Sequence, residues 1–156
     1  MSPPIKSQIL QRTHTFLSNL TTQSPLTPTL LANFSGDIRI HEHGLPALAP
    51  FLGRDYVGLA AAKEYFECMG SHLRYEGMRF EDEARWVVDA EAGVVVVRGW
   101  ARFVARATGQ GWAEGFVYRL RIGEDEDSGD VKVKEYLVWA DTGAAYLALR
   151  GELGEL

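Results

Sequence analysis

The chain has 156 residues, a formal net charge of -5, 46 % hydrophobic and 24 % charged residues, and a single cysteine. That length supports one domain over residues 1–156, with its core at about 7–150, and a charge carried by only 16 lysines and arginines argues against a phosphate-backbone footprint, so no nucleic-acid partner is expected. No stretch approaches the ~20 apolar residues of a membrane span, and Met1-Ser2-Pro3-Pro4-Ile5-Lys6 lacks the basic-then-apolar start of a secretory leader, so no membrane partner is expected. Cys68 has no internal partner and reads as a small buried hydrophobe; an unpaired thiol suits the reducing cytoplasm.

Along the chain, Ile9, Leu10, Thr13, Phe16, Leu17 and Leu20 recur at helical spacing, predicting a helix over about 7–20. Turn formers fill 21–28, where Thr27 before Pro28 reads as an N-cap opening a short helix to about 34. Residues 37–43 alternate as a strand, with Ile38, Ile40 and Glu42 on one face and Arg39, His41 and His43 on the other. The loop over 44–54 is rich in Leu, Ala and Phe and is expected to form a lid or a partner surface. Leu59, Ala62, Tyr65, Phe66 and Met69 predict a helix over 58–69 closed by Gly70. Strands follow at 73–80 with 85–89, at 94–108, at 112–122 and at 131–140, joined by turns at 90–93 and 109–111. The acidic run at 123–129 reads as a solvated hairpin loop, because its spacing does not match a calcium loop. Asp141 or Thr142 caps a closing helix over about 143–150. Helices first and long strands after them define an α+β class: a curved antiparallel sheet forming a cone-like half-barrel, with the N-terminal helices on its concave side and a short C-terminal helix.

The most informative segment is 112–122, which puts Trp112, Glu114, Phe116, Tyr118, Leu120 and Ile122 on one side of a strand. A carboxylate and a phenol among large apolar groups suit the wall of an organic-ligand pocket. A buried Glu114 would have a raised pKa and could carry a proton, unless Arg98 or Arg102 on the neighbouring strand pairs with it. Glu135, with Val133, Leu137 and Trp139, is expected to face the same cavity. No metal site is expected, since His41 and His43 lack a third ligand, and no cofactor is expected, since phosphate-loop and dinucleotide motifs are missing.

The order of these elements resembles the ketosteroid isomerase and SnoaL-like polyketide cyclase superfamily, whose cone-shaped fold is shared with nuclear transport factor two and scytalone dehydratase. Three local texts carry the resemblance over about residues 9–149. They are Asp37-Ile38-Arg39-Ile40-His41-Glu42-His43 with Gly53-Arg54-Asp55-Tyr56-Val57-Gly58 leading to Lys63-Glu64-Tyr65-Phe66, the strand pair around Gly109-Gln110-Gly111, and Val133-Lys134-Glu135-Tyr136 with Asp141-Thr142. The resemblance implies that His43 holds the general-base position, where the isomerase has a carboxylate, that Tyr118 holds the oxyanion donor's position, and that His14 falls near the first-helix tyrosine. If Ile38 and Ile40 take the inward face, Glu42 enters the cavity in place of His41 and His43; strand parity decides between them.

The function so implied is a cofactor-independent isomerase, dehydratase or polyketide-type cyclase that moves a proton on a small apolar carbonyl compound, in a setting of secondary metabolism. His43, Glu114, Tyr118 and His14 are its expected catalytic residues. His41, Tyr56, Phe51, Trp112, Phe116, Glu135 and Trp139 are its expected substrate contacts. The rival is a non-catalytic ligand-binding or dimerisation module of the same fold, and a homodimer through the sheet face of Arg98, Trp100, Arg102 and Arg106 is expected in either case. A void of ~300 Å3 or more lined by Glu114 and Tyr118 favours ligand chemistry, and a filled interior favours the module.

Overall fold

The computed structural model describes residues 3–22 and 28–154, so the Thr27 cap lies outside the described residues. Helix α1 (Lys6–Leu20) buries the stripe Ile9, Thr13, Phe16, Leu17 and Leu20 that its spacing predicts. A single turn of helix, α2 (Pro28–Leu31), leads into β1 (Phe34–Glu42), and β2 (Asp55–Val57) precedes helix α3 (Leu59–His72). Then come β3 (Leu73–Phe80), β4 (Val87–Asp89), β5 (Val94–Ala105), β6 (Gly111–Glu124), β7 (Val131–Trp139) and the closing helix α4 (Thr142–Leu149). No helix among the described residues is long and apolar enough to cross a membrane.

The strands form one curved sheet in the order β2-β1-β7-β6-β5-β3, with β4 also pairing with β5, and the whole is an α+β cone. Every pair is antiparallel except β1 with β7, which is parallel, so the sheet is mixed. A parallel pair needs a long crossover, and here the chain between first and last strand supplies it. Two local differences from the sequence reading have simple causes. The helix expected to close at Gly70 continues to His72, because Gly70 keeps negative-φ backbone and ends nothing. The three residues of β2 fall between the expected loop and helix, where no strand was expected; a strand that short, on the sheet edge, carries almost no alternation to read.

The register shifts between β1 and β7, between β3 and β5 and between β6 and β7, and the last two redirect side chains near the site. Between β6 and β7, Ile122 pairs with Val133 but Arg121 pairs with Glu135, so Lys134 is an extra residue in the ladder. The inward parity of β7 therefore switches there: Val133 faces the core, and after it Tyr136 and Val138 do. On β3 a similar slip falls between Glu76 and Arg79, where Gly77 adopts φ 64°.

Inside the cone the core is largely aromatic. Phe16 from α1 meets Tyr136 edge-on at 5.1 Å, while Phe34 stacks on Phe66 of α3 at 6.1 Å. Gly99 on β5 makes room for this packing: its cross-strand partner is Phe116, and a Cβ there would lie 2.5 Å from the Phe116 ring and 2.8 Å from that of Phe80. Gly99→Ala is expected to lower the stability by about 1–3 kcal/mol through overpacking, read as a reduced midpoint in urea unfolding.

Candidate active site

The concave side of the sheet, the loop residues Phe51 and Leu52, and the start of α4 enclose a narrow cavity of about 40 Å3. It is lined by Glu114 and Tyr118, but its volume falls far short of the ~300 Å3 expected of a preformed ligand pocket, because aromatic rings reach into it from both sides.

At its inner end is Glu42. Alternation along β1 buries Ile38, Ile40 and Glu42 and turns His41 and His43 outward. Glu42 is 6 % exposed, and the Tyr65 hydroxyl of α3 donates to its Oε1 at 2.6 Å. No cationic side chain among the described residues pairs with it. Burial raises its pKa to about 7; the Tyr65 hydrogen bond opposes the shift and the charge of Glu114 adds to it. Beside it, the rings of Tyr118 and Tyr136 meet edge-on at 4.9 Å. Burial pushes both phenols up, so they remain protonated donors across the ordinary pH range.

Glu114 stands nearer the mouth. Its Oε1 accepts from the Trp112 indole at 2.9 Å and its Oε2 from the Asp141 backbone N–H at 2.7 Å. Burial raises its pKa, against these hydrogen bonds. Arginine does not neutralise it: Arg102 pairs with Glu76 at 3.8 Å, and Arg98 lies over the Trp100 ring. Asp141 caps α4 by accepting from Ala144 N–H at 2.9 Å, so Glu114 is tied to the helix start that closes the mouth.

Of the residues expected at the site, Glu114, Tyr118, Trp112, Phe116 and Phe51 line this cavity. The others do not. His43 is exposed and stacks on Trp139, itself 41 % exposed, at 6.4 Å on the outer face. His41 is bonded to Asp55 across β1 and β2 at 2.7 Å, an outward pair. Glu135 lies beyond the Lys134 bulge on the outer face, between Arg39 at 3.3 Å and Arg119 at 3.2 Å. His14 is on the exposed side of α1, bonded to Glu83 at 2.7 Å and packed on Trp86. Tyr56 is buried beneath Arg54 and beside Tyr65, outside the cavity, and its hydroxyl has no hydrogen-bond partner. Cys68 is half-buried with its thiol pKa raised by burial, as suits a packing residue. Two participants did not stand out from sequence: Tyr65, an ordinary core position of a helix, and Tyr136, hidden by the bulge; Glu42 is the alternative that the Ile38-Ile40-Glu42 alternation offered.

No protein-family model matches the chain, and no curated protein matches it. Solved structures do. An NTF2-like protein of unknown function from Burkholderia pseudomallei superposes with a TM-score of 0.71 at 16 % identity, covering 96 % of this chain and 98 % of that one. A ketosteroid isomerase-like protein from Erwinia carotovora atroseptica gives 0.61 at 14 % identity, covering 86 % and 95 %. TerC, co-crystallized with polyporic acid, gives 0.68 at 16 % identity, covering 92 % and 98 %. The chain has the cone-shaped fold of NTF2-like, ketosteroid isomerase-like and polyketide cyclase proteins.

A buried carboxylic acid leaves a mark on stability. Folded, Glu42 keeps its proton up to about pH 7, whereas unfolded it releases it near the ordinary 4.5, so the native state loses stability as pH climbs through that window. The full effect is on the order of 3 kcal/mol. Glu42→Gln is expected to flatten this slope and to raise the melting temperature relative to wild type at alkaline but not at acidic pH, as measured by calorimetric scans across the range.

Proposed function

We propose that the protein is a cofactor-independent proton-transfer enzyme, an isomerase, dehydratase or cyclase of small apolar carbonyl compounds. The observation that carries this reading is the Glu42 carboxyl: it is buried, unpaired by any cation among the described residues, hydrogen-bonded to Tyr65, and poised near neutrality at about 7. A general base works best when its pKa is close to the working pH. Glu42 takes a proton from the carbon next to the carbonyl, the C–H electron pair moves into the enolate, and the charge settles on oxygen. Tyr118, backed by Tyr136, donates a hydrogen bond to that oxygen, and Glu42 returns the proton to another carbon of the conjugated system. Trp112, Phe116 and Phe51 keep water out and so strengthen the polar contacts. Glu114 is the second acid of the site and Asp141 belongs to its mouth.

The small free volume favours, as a second reading, a binding module whose interior opens only around a fitting guest. Met69 and Met78 in the lining are flexible enough to yield. The organic molecule co-crystallized with TerC is consistent with guest binding by this fold. A homodimer through the outer sheet face belongs to the same proposal, supported by Trp100, over which Arg79 and Arg98 place their guanidinium groups at 5.8 and 5.2 Å. The lone cysteine supports a reducing, cytoplasmic setting, and the resemblance to polyketide cyclases supports a place in secondary metabolism.

Deuterium exchange tests the chemistry. In heavy water the wild type is expected to speed wash-in at the carbon next to the carbonyl of small apolar ketones, followed by NMR. Glu42→Gln is expected to lose roughly 100-fold or more and Tyr118→Phe about 10- to 1000-fold, with His43→Ala unchanged. Exchange untouched by Glu42→Gln removes the proposal. Trp100→Glu is expected to shift the sedimentation coefficient from that of a dimer to that of a monomer, and a wild-type monomer would refute the dimer.

A further inference from the structure

The polar chemistry of the cavity is one-sided. Its lining contains three carboxyl groups, on Glu42, Glu114 and Asp141, and nine aromatic side chains, with no lysine, arginine or histidine among the described residues. Such a surface penalises an anion twice, by like-charge repulsion and by the missing donor of positive charge. Carboxylate, phosphate and thioester-nucleotide guests are therefore poor fits. A buried carboxylate is ordinarily matched by a counter-charge, and the nine-tenths-buried Glu42 has none among the described residues, where the Tyr65 hydroxyl bonds to its Oε1. The faces of aromatic rings supply the negative quadrupole that stabilises organic ammonium groups.

We propose that the guest of this cavity carries a positive charge, a protonated amine or another compact organic cation, with Glu42 as its counter-ion, Glu114 as a second acidic group nearer the mouth, and the aromatic walls around it. This rests on the cavity being the ligand site and narrows its substrates from apolar carbonyl compounds in general to those bearing a basic nitrogen. In the empty protein a proton serves Glu42 in place of the cation. When the ammonium enters, Glu42 gives that proton up, so binding is coupled to proton release. The groups facing Glu42 are Tyr65 on α3, Tyr118 and Glu114 on β6, Tyr136 on β7 and Tyr56 on β2, none of which can provide the missing positive charge.

Benzylammonium, benzyl alcohol and benzoate share a ring and nearly a size, and differ in charge. Titration calorimetry with the intact protein is expected to give benzylammonium at least about tenfold tighter binding than benzyl alcohol, with no saturable binding of benzoate. Its affinity is expected to rise between about pH 6 and about pH 8, across the Glu42 pKa of about 7, with proton release visible as a buffer-dependent heat. Glu42→Gln is expected to erase most of the cation's advantage over benzyl alcohol and its pH slope, and Glu114→Gln to reduce the advantage in part. Benzyl alcohol binding as tightly as the cation, or a cation affinity that falls with pH in the wild type, overturns the proposal and leaves the proton-transfer reading standing. Wild-type protein that binds none of the three overturns it together with the ligand-site reading.

Discussion

The structure turns on one costly placement, a carboxyl group carried into an aromatic interior at the end of β1 and met there by the Tyr65 hydroxyl at 2.6 Å. Ionised, it would be an uncompensated buried charge; neutral, it is a hydrogen-bonding acid in a dry pocket. The fold makes this tolerable by surrounding Glu42 with phenols rather than hydrocarbon alone, so that the group retains polar neighbours while losing water. Everything distinctive about the site follows from that balance: a pKa near 7, protonated tyrosine donors beside it, and a second acid held at the mouth. A salt bridge in the same place would have locked the carboxylate in its charged form and removed its capacity to exchange a proton near neutrality.

The mouth and the interior are mechanically linked. Glu114 binds the Trp112 indole with one oxygen and the backbone N–H of Asp141 with the other, while the Asp141 side chain caps α4. A single side chain therefore joins the sheet wall to the helix that covers the opening. Charged residues that do form ion pairs sit on the outer face: Arg39, Glu135 and Arg119 bridge three strands there, and His41 leans on Asp55. Surface pairs of this kind contribute little to stability. Their position does set the character of the two faces, with paired charges outside and unpaired acids inside.

The cone fold accommodates many occupants on one frame, and fold alone does not select a chemistry. The interior itself has a distinct inventory, acids and phenols with no lysine, arginine or histidine among the described lining residues. The narrowness of the cavity is part of that character, since the rings that fill it are also the surface a guest would displace or pack against.

Much of the architecture was written in local pattern. The helical stripe of α1, the strand pair β5 and β6 around its glycine turn, the acidic hairpin loop and the Asp141 cap are all short-range features, and 3.6- and 2-residue periodicities expose them directly. The wall formed by Trp112, Glu114, Phe116 and Tyr118 was equally legible, because β6 alternates without interruption over those residues. Tertiary structure decided the rest. Whether the histidines or Glu42 enter the cavity depends on which face of β1 meets the core, and both faces carry plausible chemistry in the sequence. Glu135 and Trp139 lie on the outer face because one extra residue at Lys134 reverses the parity their spacing predicts, and such a slip is visible only when the partner strand is in register. His14 and Tyr56 occupy the right elements at the wrong angle. Period and composition are properties of a strand or helix alone, whereas the meeting of Glu42, Tyr65, Tyr118 and Tyr136 is a property of four chain segments brought to one point, which no single segment encodes.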